Sequence, residues 1–361
     1  MTTQTLQTSP TQRPSAGNRV SNLAITLIAN RTALLGLLIV IVLVVMTILD
    51  QTGWLSGSYD ADYLSAALIT AVPLAMLGLA ELLVILSGRG GIDLSVGAIV
   101  SLCGIVFGYA YGIWELSLPV ALLITVLAGA ICGAINGVLI AYIGFPPLIA
   151  TLATLYAFKS LALVISGQRP ISAIRIQDFF SAADSVEIPV IGAGIPDVPL
   201  GIFTFLIPTA FIVWLLLNRT TYGRRLFAVG TNDVAAKWAG VDVASNRMTA
   251  YLFSGIISAL VAVVTVAQFA SARPDAGVSG SGMALPAITI AVLGGVAITG
   301  GIGKVSGVIL ATLLIVWLNA GILLAFAGNE GTQYQLLALG VLLIGAALLN
   351  NFTRKRFGRV A

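Results

Sequence analysis

Apolar runs of about 20 residues, the length a helix needs to cross a bilayer, recur along most of this chain. They cover 32–49, 64–87, 94–111, 116–143, 147–167, 200–217, 248–270, 284–299, 305–325 and 334–349. Of the 361 residues, 58% are hydrophobic and only 9% are charged, too much apolar surface for a soluble domain to hide. A segment in lipid must satisfy its own backbone hydrogen bonds, and a helix does so without help. The expected fold class is therefore all-α, a polytopic membrane protein of about ten transmembrane helices. The eighth run is the weakest, being short and interrupted by glycines.

Basic residues assign the sides. One set of loops holds Arg13, Arg19, Arg31, Arg89, Arg219, Arg224, Arg225, Lys237, Arg247, Lys304, Arg354, Lys355, Arg356 and Arg359. The opposite set holds only Arg169, Arg175 and Arg273. By the positive-inside rule the first set is cytoplasmic, which puts both termini inside. The expected organisation is a cytoplasmic tail over 1–31, a transmembrane domain over 32–350 and a basic cytoplasmic tail over 351–361. Residues 166–199 form a proline-bearing outer loop without periodicity. Residues 218–247 form the most polar cytoplasmic loop. The net charge of +4 comes from short loops between apolar spans, so it marks membrane orientation and no nucleic-acid partner. Lipid is the expected surrounding.

Several chemistries are excluded. There is no histidine, so histidine metal sites, Ser-His-Asp triads and histidine proton relays are absent. Cys103 and Cys132 both fall inside apolar runs and read as small buried hydrophobes. Gly300-Gly301-Ile302-Gly303-Lys304 lacks the spacing and the Ser or Thr of a phosphate loop, since Val305 follows. No catalytic constellation, cofactor motif or metal set is visible, so the chain reads as a transport component and not an enzyme. Power must come from an ion gradient or another chain.

The motifs lie in the turns. Gly90-Gly91-Ile92-Asp93-Leu94-Ser95-Val96-Gly97 places a carboxylate and a glycine cluster between two spans. Asp93 is expected to cap the helix starting at Leu94, accepting from N–H groups near Val96. Residues 90–99 align without gaps with residues 300–309, a faint repeat that links two helices on the cytoplasmic side each time. Asn232-Asp233 should cap a short helix over 234–238 that Gly240 ends, with Gly223, Arg224 and Arg225 just before it. Such a helix suits docking of a soluble partner, and equally suits lying on lipid with Trp238 as anchor. Gly129, Gly133 and Gly137 share one helix face, as do Gly303, Gly307 and Ala311, which favours close packing within the chain. Glu81 and Lys159 lie inside spans, where charge is costly. The expected arrangement is a structural Glu81–Lys159 pair, or Lys159 reaching toward an interface.

Taken in order, these stretches resemble bacterial ABC-transporter permeases for monosaccharides of the ribose and xylose type. The run 90–97 is similar to that family's signature. Asn136-Gly137 followed by Pro146-Pro147-Leu148-Ile149-Ala150-Thr151-Leu152 resembles its fifth-helix entry, and Gly167-Gln168-Arg169-Pro170-Ile171 the start of its outer loop. Thr221-Tyr222-Gly223-Arg224 with Ala228-Val229-Gly230-Thr231-Asn232 resembles its coupling loop. Ala287-Ile288, Leu293-Gly294-Gly295 and Gly300-Gly301-Ile302-Gly303 resemble its penultimate signature. Leu285-Pro286 and Lys159 depart from the family pattern of an acidic residue and an arginine.

The resemblance implies the permease subunit of an ATP-driven sugar importer of the bacterial inner membrane. Its implied partners are a second permease subunit, cytoplasmic P-loop ATPase subunits and an extracytoplasmic sugar-binding protein. It assigns Gly223, Arg224, Gly230, Asn232, Asp233, Ala236 and Gly240 to the coupling helix and ATPase docking. It assigns Gly90, Gly91, Asp93, Ser95, Gly97, Lys159, Gly294, Gly295 and Gly301 to the pathway or its structural frame. Pentoses, deoxyhexoses and a furanosyl signalling molecule all remain open as cargo. The alternative class is an ion-coupled secondary transporter using Glu81, Asp93 or Lys159.

Overall fold

The computed structural model describes residues 31–182, 185–186, 198–279, 282–326 and 328–357. The N-terminal tail expected over 1–31 lies outside them except for Arg31. Among the described residues, nine helices are long and apolar enough to cross a membrane. The first five are α1 (Arg31–Gln51), α2 (Ala61–Leu86), α3 (Val96–Phe107, extended by a π-helical turn Gly108–Ile113), α4 (Leu118–Ala141) and α5 (Pro147–Ile165). After helix α6 (Ile174–Ala182) come two strands, β1 (Ser185–Val186) and β2 (Val198–Pro199), paired antiparallel. A π-helical turn Ile202–Leu206 opens α7 (Ile207–Arg219). Two shorter helices follow, α8 (Thr221–Thr231) and α9 (Asp233–Trp238). The chain ends with α10 (Val243–Phe269), α11 (Ala284–Leu293), α12 (Val305–Ala325) and α13 (Asn329–Phe357). Helices α7, α10, α12 and α13 are the other spans.

Helices α2, α3 and α10 form the centre and are buried for most of their length. The other spans surround them with aliphatic faces such as Leu123, Leu127 and Ile131 of α4 turned outward, as lipid allows. The two small-residue ridges pack within the chain. A β-carbon on Gly129 would overlap the Gly255 carbonyl of α10, and one on Gly133 the Tyr251 carbonyl. Gly307 of α12 likewise lies on the Gly294 carbonyl.

The eighth run departs from its expected helix over 284–299. Helix α11 stops at Leu293, with ten residues too few to cross. The segment before it is irregular, with turns over 274–278, and packs on α3. Ala272 exchanges backbone hydrogen bonds with Ile171 at 2.9 Å, next to Gly108 of α3. Farther on, the Gly277 N–H donates to Ser101 Oγ at 3.0 Å, and Gly277 lies on the Gly97 carbonyl. The segment thus runs antiparallel along α3, held by protein where lipid could not satisfy its backbone.

With this broken crossing, both ends of the described chain reach one end of the bundle, the end that carries α8 and α9. Arg31 packs on Gly295 there, and α13 returns from the far end. The helix continues to Phe357, past the boundary expected at 351. Between α5 and α7, α6 buries Ile176 and packs Phe179 against Phe107 and Tyr111.

Candidate functional site

Two sets of polar residues stand out against the apolar bundle, and both lie toward the α8–α9 end. The first surrounds Asp93. The α2–α3 turn carries this carboxylate back along α2 until the Asp93 N–H donates to Glu81 Oε2 at 3.3 Å. Both side chains are fully buried. Asp93 Oδ1 accepts from the Ser95 N–H at 3.0 Å, the Ser95 hydroxyl at 2.6 Å and Asn136 Nδ2 at 3.5 Å. Its Oδ2 accepts from Ser254 of α10 at 3.2 Å. Asn136 also donates to Ser95 Oγ at 2.7 Å and accepts from Thr154 of α5 at 2.6 Å. Asp93 thus links the start of α3 to α4 and α10, and Asn136 extends the network to α5.

The expected cap is corrected in detail. Helix α3 starts at Val96, not Leu94, and Asp93 turns onto the N–H two residues on. Gly91 is needed beneath it because a β-carbon would lie 2.6 Å from the Val84 carbonyl. Gly90, by contrast, has open space around it. The expected Glu81–Lys159 pair does not form. Glu81 faces Asp93, while Lys159 is half-buried on α5 and makes none of the ion pairs found among the described residues.

The second set is the α8–α9 unit. Thr220 caps α8 by accepting from the Gly223 N–H at 3.1 Å, and Asn232 caps α9 by accepting from the Ala235 N–H at 3.0 Å. Gly240, with φ of +79°, ends α9, and the Val241 N–H returns to the Ala236 carbonyl at 3.0 Å. Polarity hid α8 from the sequence reading, which placed only a short helix over 234–238. Asp233 faces Arg247 Nη2 at 3.6 Å and Arg89 Nε at 3.8 Å. Arg247 is only 4% exposed, and its Nη2 also donates to the Ser87 carbonyl at 3.2 Å.

The residues assigned to docking divide between two faces. Gly223, Gly230 and Ala236 are buried and key the unit onto the bundle. Gly230 lies on the Leu86 carbonyl and beside Gly301 N, while Gly301 lies against Thr231. Arg224, Asn232, Val234 and Trp238 face outward, the last 88% exposed. Sequence reading missed Arg247, Ser254, Thr154 and Gly88. A polar side chain inside an apolar run was the available signal for Ser254 and Thr154, while Arg247 stands at the end of the polar loop 218–247.

Among the described residues no group of three metal-ligating side chains occurs.

Comparison with known proteins gives one direction. The family model described as "Branched-chain amino acid transport system / permease component" matches residues 63–347. Relatives include the autoinducer 2 import system permease proteins LsrD of Salmonella typhimurium and Salmonella typhi. Each is 38% identical over 264 residues, covering 73% of this chain and 74% of its own length. LsrD of Photorhabdus luminescens is 38% identical over 266 residues with the same coverage. No solved structure matches.

Proposed function

The chain belongs to the family of branched-chain amino acid transport system permease components, and from that premise we propose that it is the pathway-forming subunit of an ATP-driven importer for a small sugar-like solute. It is a multi-pass membrane permease, a transport component and not an enzyme. Its likeness to autoinducer 2 permeases, together with the run 90–97, supports a pentose, deoxyhexose or furanosyl cargo over an amino acid. Its partners are a second permease, P-loop ATPase subunits on the cytoplasmic side and an extracytoplasmic binding protein.

One observation carries the coupling. Helix α9 holds Val234 and Trp238 outward while its other face is fastened to the bundle through Asp233, Arg89 and Arg247. A rigidly backed apolar knob on the basic end of a membrane protein suits the cleft of a soluble motor subunit. Of the groups the ion-coupled alternative would use, Asp93 is engaged by Ser95, Asn136 and Ser254, and Lys159 makes none of the ion pairs found among the described residues.

Val234→Glu with Trp238→Glu should abolish recovery of the ATPase on the affinity-tagged permease and abolish uptake, while membrane insertion stays normal. Ala236→Glu, on the inner face, should also stop uptake by prising α9 off its seat. Undiminished ATPase recovery with the double variant would refute docking at α9.

Side assignment gives a separate expectation. The α8–α9 end, with Arg89, Arg224, Arg225, Lys237 and Lys304, is cytoplasmic, and α6 is outside. Cysteines placed at Asp178 and Thr231, both exposed, should label oppositely in intact cells with an impermeant thiol reagent. Cys103 and Cys132 are buried and give little background. Labelling of position 231 from outside would invert the orientation.

A further inference from the structure

Three backbones meet beneath α8 with no side chain between them. Gly88 belongs to the α2–α3 turn, Gly230 to α8 and Gly300 to the α11–α12 turn. A β-carbon on Gly88 would lie 3.0 Å from Gly230 Cα. One on Gly300 would lie 2.5 Å from Gly88 Cα and 2.9 Å from the Gly230 carbonyl oxygen. The Gly301 N–H donates to the Leu86 carbonyl at 3.2 Å, so the two turns are also bonded to each other. Arg247 joins α10 to the same place through the Ser87 carbonyl and Asp233.

Side chains absorb relative motion by changing rotamer, but touching backbones cannot. Close-packed contacts of this kind move together or shift between discrete arrangements. We propose that Gly88, Gly230 and Gly300 form a three-way positioning junction. It passes a displacement of the α8–α9 unit into the α2–α3 and α11–α12 turns at once. The first turn carries Asp93 and its network, and the second starts α12. The two turns are also the pair related by the repeat of 90–99 with 300–309, so the junction couples both copies to one lever. This rests on α9 as the ATPase docking element.

Gly144 provides the control. It lies in the α4–α5 loop at the same end of the bundle with φ of +89°, close to the +90° of Gly300, but has nothing within 4 Å of its would-be β-carbon. Gly144→Ala measures the strain of a left-handed backbone alone, and Gly300→Ala adds the overlap with Gly88. The permease would be co-expressed with its ATPase, placed in liposomes with the binding protein, and assayed for complex recovery, ATP hydrolysis and uptake. The probe is whichever of ribose, rhamnose and autoinducer 2 the wild-type complex takes up.

Gly88→Ala and Gly300→Ala should keep the complex and its ATP hydrolysis while uptake per ATP falls about tenfold or more, the effect of a typical overpacking strain on a two-state balance. Gly144→Ala should match the wild type. Unchanged uptake per ATP in an assembled Gly300→Ala complex overturns the junction. Should that variant fail to assemble, Arg247→Gln keeps a donor for Ser87 but loses the pair with Asp233. Its uptake per ATP should fall as well, and an unchanged value overturns the proposal. Absence of the ATPase from the wild-type permease, or its persistence on the Val234→Glu, Trp238→Glu variant, refutes docking at α9 instead.

Discussion

Asp93→Leu will leave almost no folded permease, whereas Asp93→Asn will fold and keep much of its uptake. Leucine strands the Ser95 N–H, the Ser95 hydroxyl and the Ser254 hydroxyl in a site closed to water. Each buried donor left bare costs about 1–3 kcal/mol, so the loss rivals the whole stability of a typical domain. Asparagine keeps an oxygen for Ser95, and its amide can donate to Ser254 Oγ. Size-exclusion profiles and thermal unfolding in detergent measure assembly, and uptake measures function. Equal and complete loss of uptake in two well-assembled variants would show that the charge itself is used, and would revive ion coupling.

Gly133→Leu will drive α4 from α10 and lower stability by about 3 kcal/mol or more, the upper end of overpacking costs. Leu252 Cα would stand only 3.0 Å from the new β-carbon, and the Tyr251 carbonyl closer still. These neighbours are backbone and have no rotamer to yield. Helix α10 also carries Ser254, so separation would break the Asp93 network. Gly36→Leu, on a face of α1 with nothing within 4 Å, should be tolerated in the same host. Equal thermal stability of the two variants would contradict the packing described.

What could be read from the sequence follows the range of the forces involved. Spans, the Asn232 cap and the Gly240 stop depend on neighbours a few residues away, and each appears where its local rule puts it. The eighth run is the weakest in the sequence, but the turns that precede α11 are held by α3, 176 residues away at Ser101. Ser254 reaches Asp93 across 161 residues, which no spacing rule exposes. The Glu81–Lys159 pair failed for the same reason. Opposite charges in two spans invite pairing, yet helix packing sets Glu81 against the α2–α3 turn and Lys159 on α5. Helix α8 escaped notice because its polar face, with Arg224 and Arg225, made the segment read as loop, while Leu226 and Val229 form its buried face.

The central claim is that ATP hydrolysis on a docked partner drives import through this chain. It is tested most directly in liposomes holding the complete complex, with binding protein outside and ATP inside. Uptake of ribose, rhamnose or autoinducer 2 should require internal ATP and be indifferent to a protonophore and to the sodium gradient. Uptake that proceeds without ATP and collapses with the ion gradient would contradict it.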